Sequence, residues 1–80
     1  LAHNYALTIE GYNILFVVQN GCCAICGDHQ NNMKRKLSVD HNHITGEVRG
    51  LLCHKCNVAI GLMKDNVDTL ANAIKYLLKK

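Results

Sequence analysis

Apolar positions near the start of the chain recur at helical spacing. Ile9, Tyr12, Leu15 and Phe16 share one side, Val17 and Val18 widen it, and the pattern runs to about Gln19. Thr8 supplies an N-cap hydroxyl, Glu10 lies in the first turn, and Asn20-Gly21 ends the run. A helix over about 8–19 is expected. It is apolar on so many sides that it needs cover from the rest of the domain or from a second copy. Cys22 to Gly27 then reads as a compact knuckle, and Asp28 to Lys36 as a polar loop. From Leu37 the period drops to two: Leu37, Val39 and His41 alternate with Ser38, Asp40 and Asn42. Thr45-Gly46 makes a turn. Glu47 to Leu52 returns as a second strand, with Arg49 pointing away from Val48, Leu51 and Leu52, so a hairpin over about 37–52 is expected. Strict alternation would send Asp40 and His41 to opposite faces unless the strand ends or bends there. Residues 53–63 read as a second knuckle running into a helix. Asn66 or Asp68 caps a final helix over about 67–79, striped by Val67, Leu70, Ala71, Ile74, Leu77 and Leu78. Lys75, Lys79 and Lys80 suit its C-terminal end. Leu1 to Tyr5 carries no pattern. With no repeat and no linker, the chain reads as a single α+β domain over residues 1–80.

Composition makes that domain hard to stabilise by burial alone. The chain has 80 residues, 49% hydrophobic but only 5% aromatic, with one Phe and no Trp. Its core must be thin and aliphatic, and a chain this small needs a staple. The cysteines supply one. Cys23-Ala-Ile-Cys26 and Cys53-His-Lys-Cys56 each bite a metal through two sulfurs, and together they complete a tetrahedral zinc shell. Structural zinc is worth ~10–16 kcal/mol in small modules, enough to decide whether a fold exists. A redox Cys-x-x-Cys fits less well, since the parallel βαβ pattern that accompanies it is absent. Rubredoxin-like iron is the other candidate for the same sulfurs. Cys22 is left over, as an idle thiol or a competitor of Cys23. Zinc closed by four cysteines has no open position, so any catalysis must use other ligands.

The net charge of +3 is compatible with a polyanionic partner but far from a histone-like binder. No stretch is long and apolar enough to cross a bilayer, and no signal-peptide pattern opens the chain, which begins at Leu1 rather than Met. Paired cysteines of the metal-binding kind point to a reducing, cytoplasmic setting.

The remaining chemistry is concentrated in Asp40-His-Asn-His43, one carboxylate and two of the five imidazoles within four residues. Asp40 offers a hard oxygen, and Asn57, one residue past a zinc ligand, offers another. That pair suits Mg²⁺ or Mn²⁺, which keep waters and join phosphates. His41 or His43 could take a proton from water near neutral pH. Metal, base and phosphate together are what phosphodiester hydrolysis needs. The bland reading is a polar turn with exposed histidines, and the cysteine clamp on both sides of the stretch weighs against it.

Cys23-x-x-Cys26, Val39-Asp-His-Asn-His-Ile-Thr-Gly46, Val48-Arg-Gly-Leu-Leu-Cys53 and Cys56-Asn57 together resemble the recombination endonuclease VII family, within the wider HNH or ββα-metal nucleases. The resemblance runs from about Thr8 to Leu78. It implies a small zinc-stabilised ββα-metal domain, treble-clef-like, with flanking N- and C-terminal helices. It also implies a metal-dependent DNA endonuclease that nicks or cuts both strands, encoded by a phage and acting inside a bacterial host. Carried over by position, Cys23, Cys26, Cys53 and Cys56 hold structural zinc, while Asp40 and Asn57 hold catalytic Mg²⁺ or Mn²⁺. His41 is the general base, and His43 assists at the phosphate or orients the site. The sequence stops soon after the Leu70–Leu78 stretch, so nicking or cutting is expected rather than Holliday-junction resolution.

Lys34, Arg35, Lys36, Arg49 and Lys55 are the candidate contacts to DNA phosphates, with His54 and Lys64 as further ones, and Arg49 is foremost because it lies in the hairpin. So few contacts imply salt-dependent binding of low sequence specificity. No membrane partner is expected, and a homodimer would form through the apolar N-terminal or C-terminal helix. Two other readings predict different observations. A non-catalytic zinc module binding nucleic acid or protein would hold zinc and cut nothing. A rubredoxin-like electron carrier would be coloured as purified.

Overall fold

Chain order runs helix, hairpin, helix, helix. The structure, a computed structural model, describes residues 7–79; the 1–5 stretch and Lys80 lie outside them. The first helix, α1, is Ile9–Val18. The Thr8 hydroxyl caps it by accepting from the Gly11 N–H at 2.9 Å. At its end the Gly21 N–H reaches Phe16 O and the Asn20 N–H reaches Val17 O, a Schellman closure with both residues in left-handed backbone, φ 69° and 56°. Gly21 cannot carry a side chain here: a Cβ would lie 2.6 Å from His29 Nε2 and 2.9 Å from Phe16 Cζ.

The sheet is one antiparallel hairpin, β1 (Ser38–His41) and β2 (Val48–Leu52). Ser38 pairs with Leu52, Val39 with Leu51 and Asp40 with Gly50, but His41 pairs with Val48. Arg49 is therefore an extra residue on β2, a bulge opposite the Asp40–His41 step. β1 also ends at His41, one residue past Asp40. Asn42 builds the turn rather than the site: its Oδ1 accepts from Ile44 N–H at 2.9 Å and Thr45 N–H at 3.1 Å.

The second helix, α2 (His54–Leu62), starts at Cys53, whose Sγ accepts from the Cys56 N–H. It ends in another Schellman closure, Asp65 N–H to Ile60 O and Lys64 N–H to Gly61 O. This one is built from non-glycine residues, Lys64 at φ 57° and Asp65 at φ 53°. The last helix, α3 (Val67–Leu77), is capped by Asn66, which accepts from the Thr69 N–H at 2.9 Å. Asn66 takes the cap, and Asp68 lies in the first turn instead.

The core is small. Cys23, Leu37, Leu51, Leu52, Cys53 and Cys56 are buried, with Tyr12, Leu15, Phe16, Met33, Val39 and Ile60 packed around them. Half of the buried set is thiol, so the hydrophobic core and the cysteine cluster are one object. Gln19, at the end of α1, ties the helix to the hairpin. Its Oε1 accepts from Leu51 N–H at 2.9 Å, and its Nε2 donates to Leu51 O at 2.9 Å and Cys22 O at 2.8 Å. A side-chain amide thus completes the strand edge. The apolar stripe of α3 is present but packs on little: Val67, Ile74, Leu77 and Leu78 are exposed, as are Ile9, Ile14, Val17 and Val18 of α1. Among the described residues no helix is long and apolar enough to cross a membrane.

Candidate active site and metal centre

The two knuckles bring Cys23, Cys26, Cys53 and Cys56 together with all four sulfurs within 4.8 Å of one another. Cys26 and Cys53 are 3.9 Å apart, close to the edge of about 3.8 Å in a tetrahedron with metal–sulfur bonds of about 2.3 Å. All the cysteines are free of disulfides. Burial works against the Cys23 thiolate, yet hydrogen bonds from the backbone of Cys53, Cys26 and Ile25 bring it down to about 6. Burial, reinforced by the neighbouring sulfurs, pushes Cys56 up to about 12. The cluster can hold a structural metal ion such as zinc. Cys22 stands apart from it, with its Sγ 3.4 Å from Asn20 O.

Asp40 is the buried charged residue of the described chain, 7% exposed. A carboxylate there needs a partner, and the bulge supplies it. Arg49 Nε donates to Asp40 Oδ2 at 2.6 Å and Arg49 Nη2 to Oδ1 at 3.1 Å, a bidentate pair. Nη2 also donates to Asp65 Oδ2 at 3.2 Å. These bonds, those to Asp40 foremost, raise the Arg49 pKa against a smaller effect of burial. Asp65 in turn lies 3.8 Å from His43 Nδ1, too far for a hydrogen bond. His43 is exposed, and His41 and Asn57 are half-buried. α2 packs against β1, so the helix of Asn57 runs beside the strand of Asp40. A cleft of about 240 Å³ opens at Asp40 and Arg49, walled by Ala24, Ile25, Gly50, Leu52 and Ile60.

The candidate phosphate contacts separate into groups. Arg49 is turned onto the two acids. Lys36 sits over the Tyr12 ring, 5.4 Å from its centre. Lys34, Arg35 and Lys55 gather with His54 around a second cleft of about 320 Å³ at the start of α2, where Asp28 is the single acid. Arg35 Nη1 donates to His54 Nδ1 at 3.1 Å, which leaves the histidine proton on Nε2. Sequence reasoning did not find Asp65 or the pairing of Asp40 with Arg49. The available signal was the polar break Lys64-Asp65-Asn66 after α2, which says nothing about what Asp65 faces.

Residues 1–79 match the family model for recombination endonuclease VII. The chain belongs to the recombination endonuclease VII family. Two phage proteins are similar to it along nearly its whole length. The Gene 59 protein of Mycobacterium phage D29 is 46% identical over 76 residues, covering 94% of this chain and 46% of that protein. The Gene 59 protein of Mycobacterium phage L5 is 44% identical over 75 residues, covering 92% and 45%. The chain therefore spans less than half the length of these curated relatives. Membership in the endonuclease VII family suggests a nuclease or nucleic-acid-related role.

Proposed function

We propose that this endonuclease VII domain is a divalent-metal-dependent DNA endonuclease of the HNH type, with β1, β2 and α2 as its ββα-metal unit and zinc as the ion on the four cysteines. The observation that carries the reading is the bulge opposite Asp40–His41. It breaks the regular pairing where β1 ends, and in this reading Asp40 and His41 serve one site there, beside the helix anchored by the cysteine cluster.

The donor set fits a hard divalent ion. Asp40 and Asn57 offer a carboxylate and an amide oxygen. Asp40 has about four lone-pair positions, of which the bidentate Arg49 takes one on each oxygen, so the pair leaves ligand capacity. Mg²⁺ or Mn²⁺ held there would supply the positive charge that stabilises the phosphoryl and leaving oxygens. His41 takes a proton from the attacking water, whose oxygen forms the new bond to phosphorus as the bond to the sugar oxygen breaks. His43, exposed beside it, assists at the phosphate. Arg49 offers its free Nη1 to the same phosphate, and Lys34, Arg35 and Lys55 carry the strand through the second cleft. Lys36 adds charge from its place over Tyr12. His54 lies one helical turn before Asn57 on α2, so the second cleft and the reacting phosphate would be contacted from one helix. The exposed apolar residues of α1 and α3 are the surfaces through which a homodimer would form. A phage-encoded enzyme acting in the cytoplasm of its host is part of the same reading.

One observation favours the alternative, a non-catalytic zinc module binding nucleic acid or protein: the Asp40 charge is already compensated by Arg49. A supercoiled-plasmid assay with Mg²⁺ or Mn²⁺ separates the two. The wild-type domain should nick, and His41→Ala should stay folded and zinc-bound while losing on the order of 10²–10⁴ in rate. A wild-type protein inert with both metals leaves the non-catalytic module. Undiminished cutting by His41→Ala removes the base assignment.

A further inference from the structure

We infer that Asp65 is a positioning residue, which holds the Arg49 guanidinium beside Asp40 so that its free edge meets a phosphate oxygen. The inference rests on the nuclease reading above. Three of the five N–H groups of Arg49 are engaged: Nε and one Nη2 proton on Asp40, the other Nη2 proton on Asp65. Nη1 makes no hydrogen bond among the described residues, and the side chain keeps 37% of its exposure. The guanidinium is thus gripped along one edge and half of the next. What remains free is the pair of Nη1 donors, on a side chain that keeps solvent access. A planar fork held this way loses little freedom when it takes an anion.

The backbone of Asp65 supports a role beyond a passing surface contact. α1 closes on two left-handed residues, Asn20 and Gly21, and Lys64 at φ 57° is the first of the matching pair after α2. Asp65 adds a second at φ 53°. Glycine or asparagine takes this conformation more readily than aspartate. The carboxylate is carried by that second residue, and it is this turn that brings it from the end of α2 back to the hairpin. His43, 3.8 Å away, is too distant to be the partner for which the geometry is built.

Asp65→Asn suits the test, because asparagine tolerates left-handed backbone and keeps the shape while removing the charge. In the zinc-loaded protein its unfolding temperature should match wild type. In the plasmid assay with Mg²⁺, kcat should fall by about tenfold with KM little changed, as expected when an oriented group loses its brace. In an Arg49→Ala background the same change should cost nothing further, since Asp65 acts through Arg49. A second readout needs no DNA and no catalysis. Arg35 and Arg49 are the only arginines, so the Nη signals of Arg49 can be followed by NMR. They should be resolved in wild type and averaged by faster rotation in Asp65→Asn. Wild-type kcat in Asp65→Asn, or losses that simply add to those of Arg49→Ala, would reduce the contact to an ordinary surface ion pair. If the wild-type domain cuts nothing, the nuclease reading falls and the NMR comparison alone decides whether Asp65 holds Arg49.

Discussion

Asp40 and Arg49 show how little a residue type says until its neighbour in space is known. Both stand out in the sequence, one as an oxygen ligand and the other as a phosphate contact. In the fold they are first of all partners of each other, because a carboxylate at 7% exposure must be compensated. Asn42 likewise sits inside the Asp-His-Asn-His stretch, yet its amide oxygen holds the turn. Lys64 is the residue whose backbone conflicts most with its side chain. Left-handed backbone at a non-glycine position costs about 1–2 kcal/mol, and among the described residues no side-chain hydrogen bond or ion pair of Lys64 offsets it. Lys64→Gly should therefore raise stability by roughly 0.5–1 kcal/mol after the entropy of glycine is counted. Urea or thermal unfolding of the zinc-loaded protein measures it, and a loss of stability would mean that the lysine side chain makes a contact of its own.

At the scale of elements, the periodicities and caps located the helices and the hairpin to within a residue or two. Thr8, Asn20-Gly21 and Asn66 act as caps because their side chains or backbone freedom satisfy groups that every helix end leaves open. How the elements dock was not legible. Gln19 reads as an ordinary polar residue at a helix end, yet it bonds both backbone groups of Leu51, which is fully buried. Leu51 O keeps a second donor in the Ala24 N–H at 3.1 Å, but its N–H has Gln19 alone. Gln19→Ala should then cost about 1–3 kcal/mol, the penalty for an unsatisfied buried donor. A midpoint shift in chemical denaturation of the zinc-loaded protein would report it, and an unchanged midpoint would mean that water reaches Leu51.

Over the whole molecule the cysteine cluster is the organising centre. Leu37 and Leu51 are the largest fully buried side chains, too little apolar burial to hold a chain of this size. α1, the hairpin and α2 converge on the sulfurs, whereas α3 contributes no residue to the core or to the side chains packed against it. Removing the metal with a strong chelator should unfold the domain cooperatively, because the ~10–16 kcal/mol of structural zinc binding is then lost. Cys53→Ser should do the same, since it removes a ligand and the sulfur that caps α2 together. Circular dichroism before and after chelation checks this; a spectrum that keeps its helix would show that the apolar core suffices.

Local chemistry wrote much of this protein in one dimension. Cys-x-x-Cys spacing brings four sulfurs within reach of one metal, helical and alternating periods dictate elements, and the Asp-His-Asn-His stretch with Asn57 is where the proposed chemistry is placed. Those signals survive in sequence because each depends on residues a few positions apart. The bulge opposite Asp40 and His41 was legible only as a condition for a break in the strand there, since pairing register is decided between strands. That Arg49 would turn onto Asp40, and that Asp65 would arrive from the far end of α2, was decided by packing alone. Contacts between residues far apart in the chain depend on how three elements meet, and no local pattern encodes that meeting.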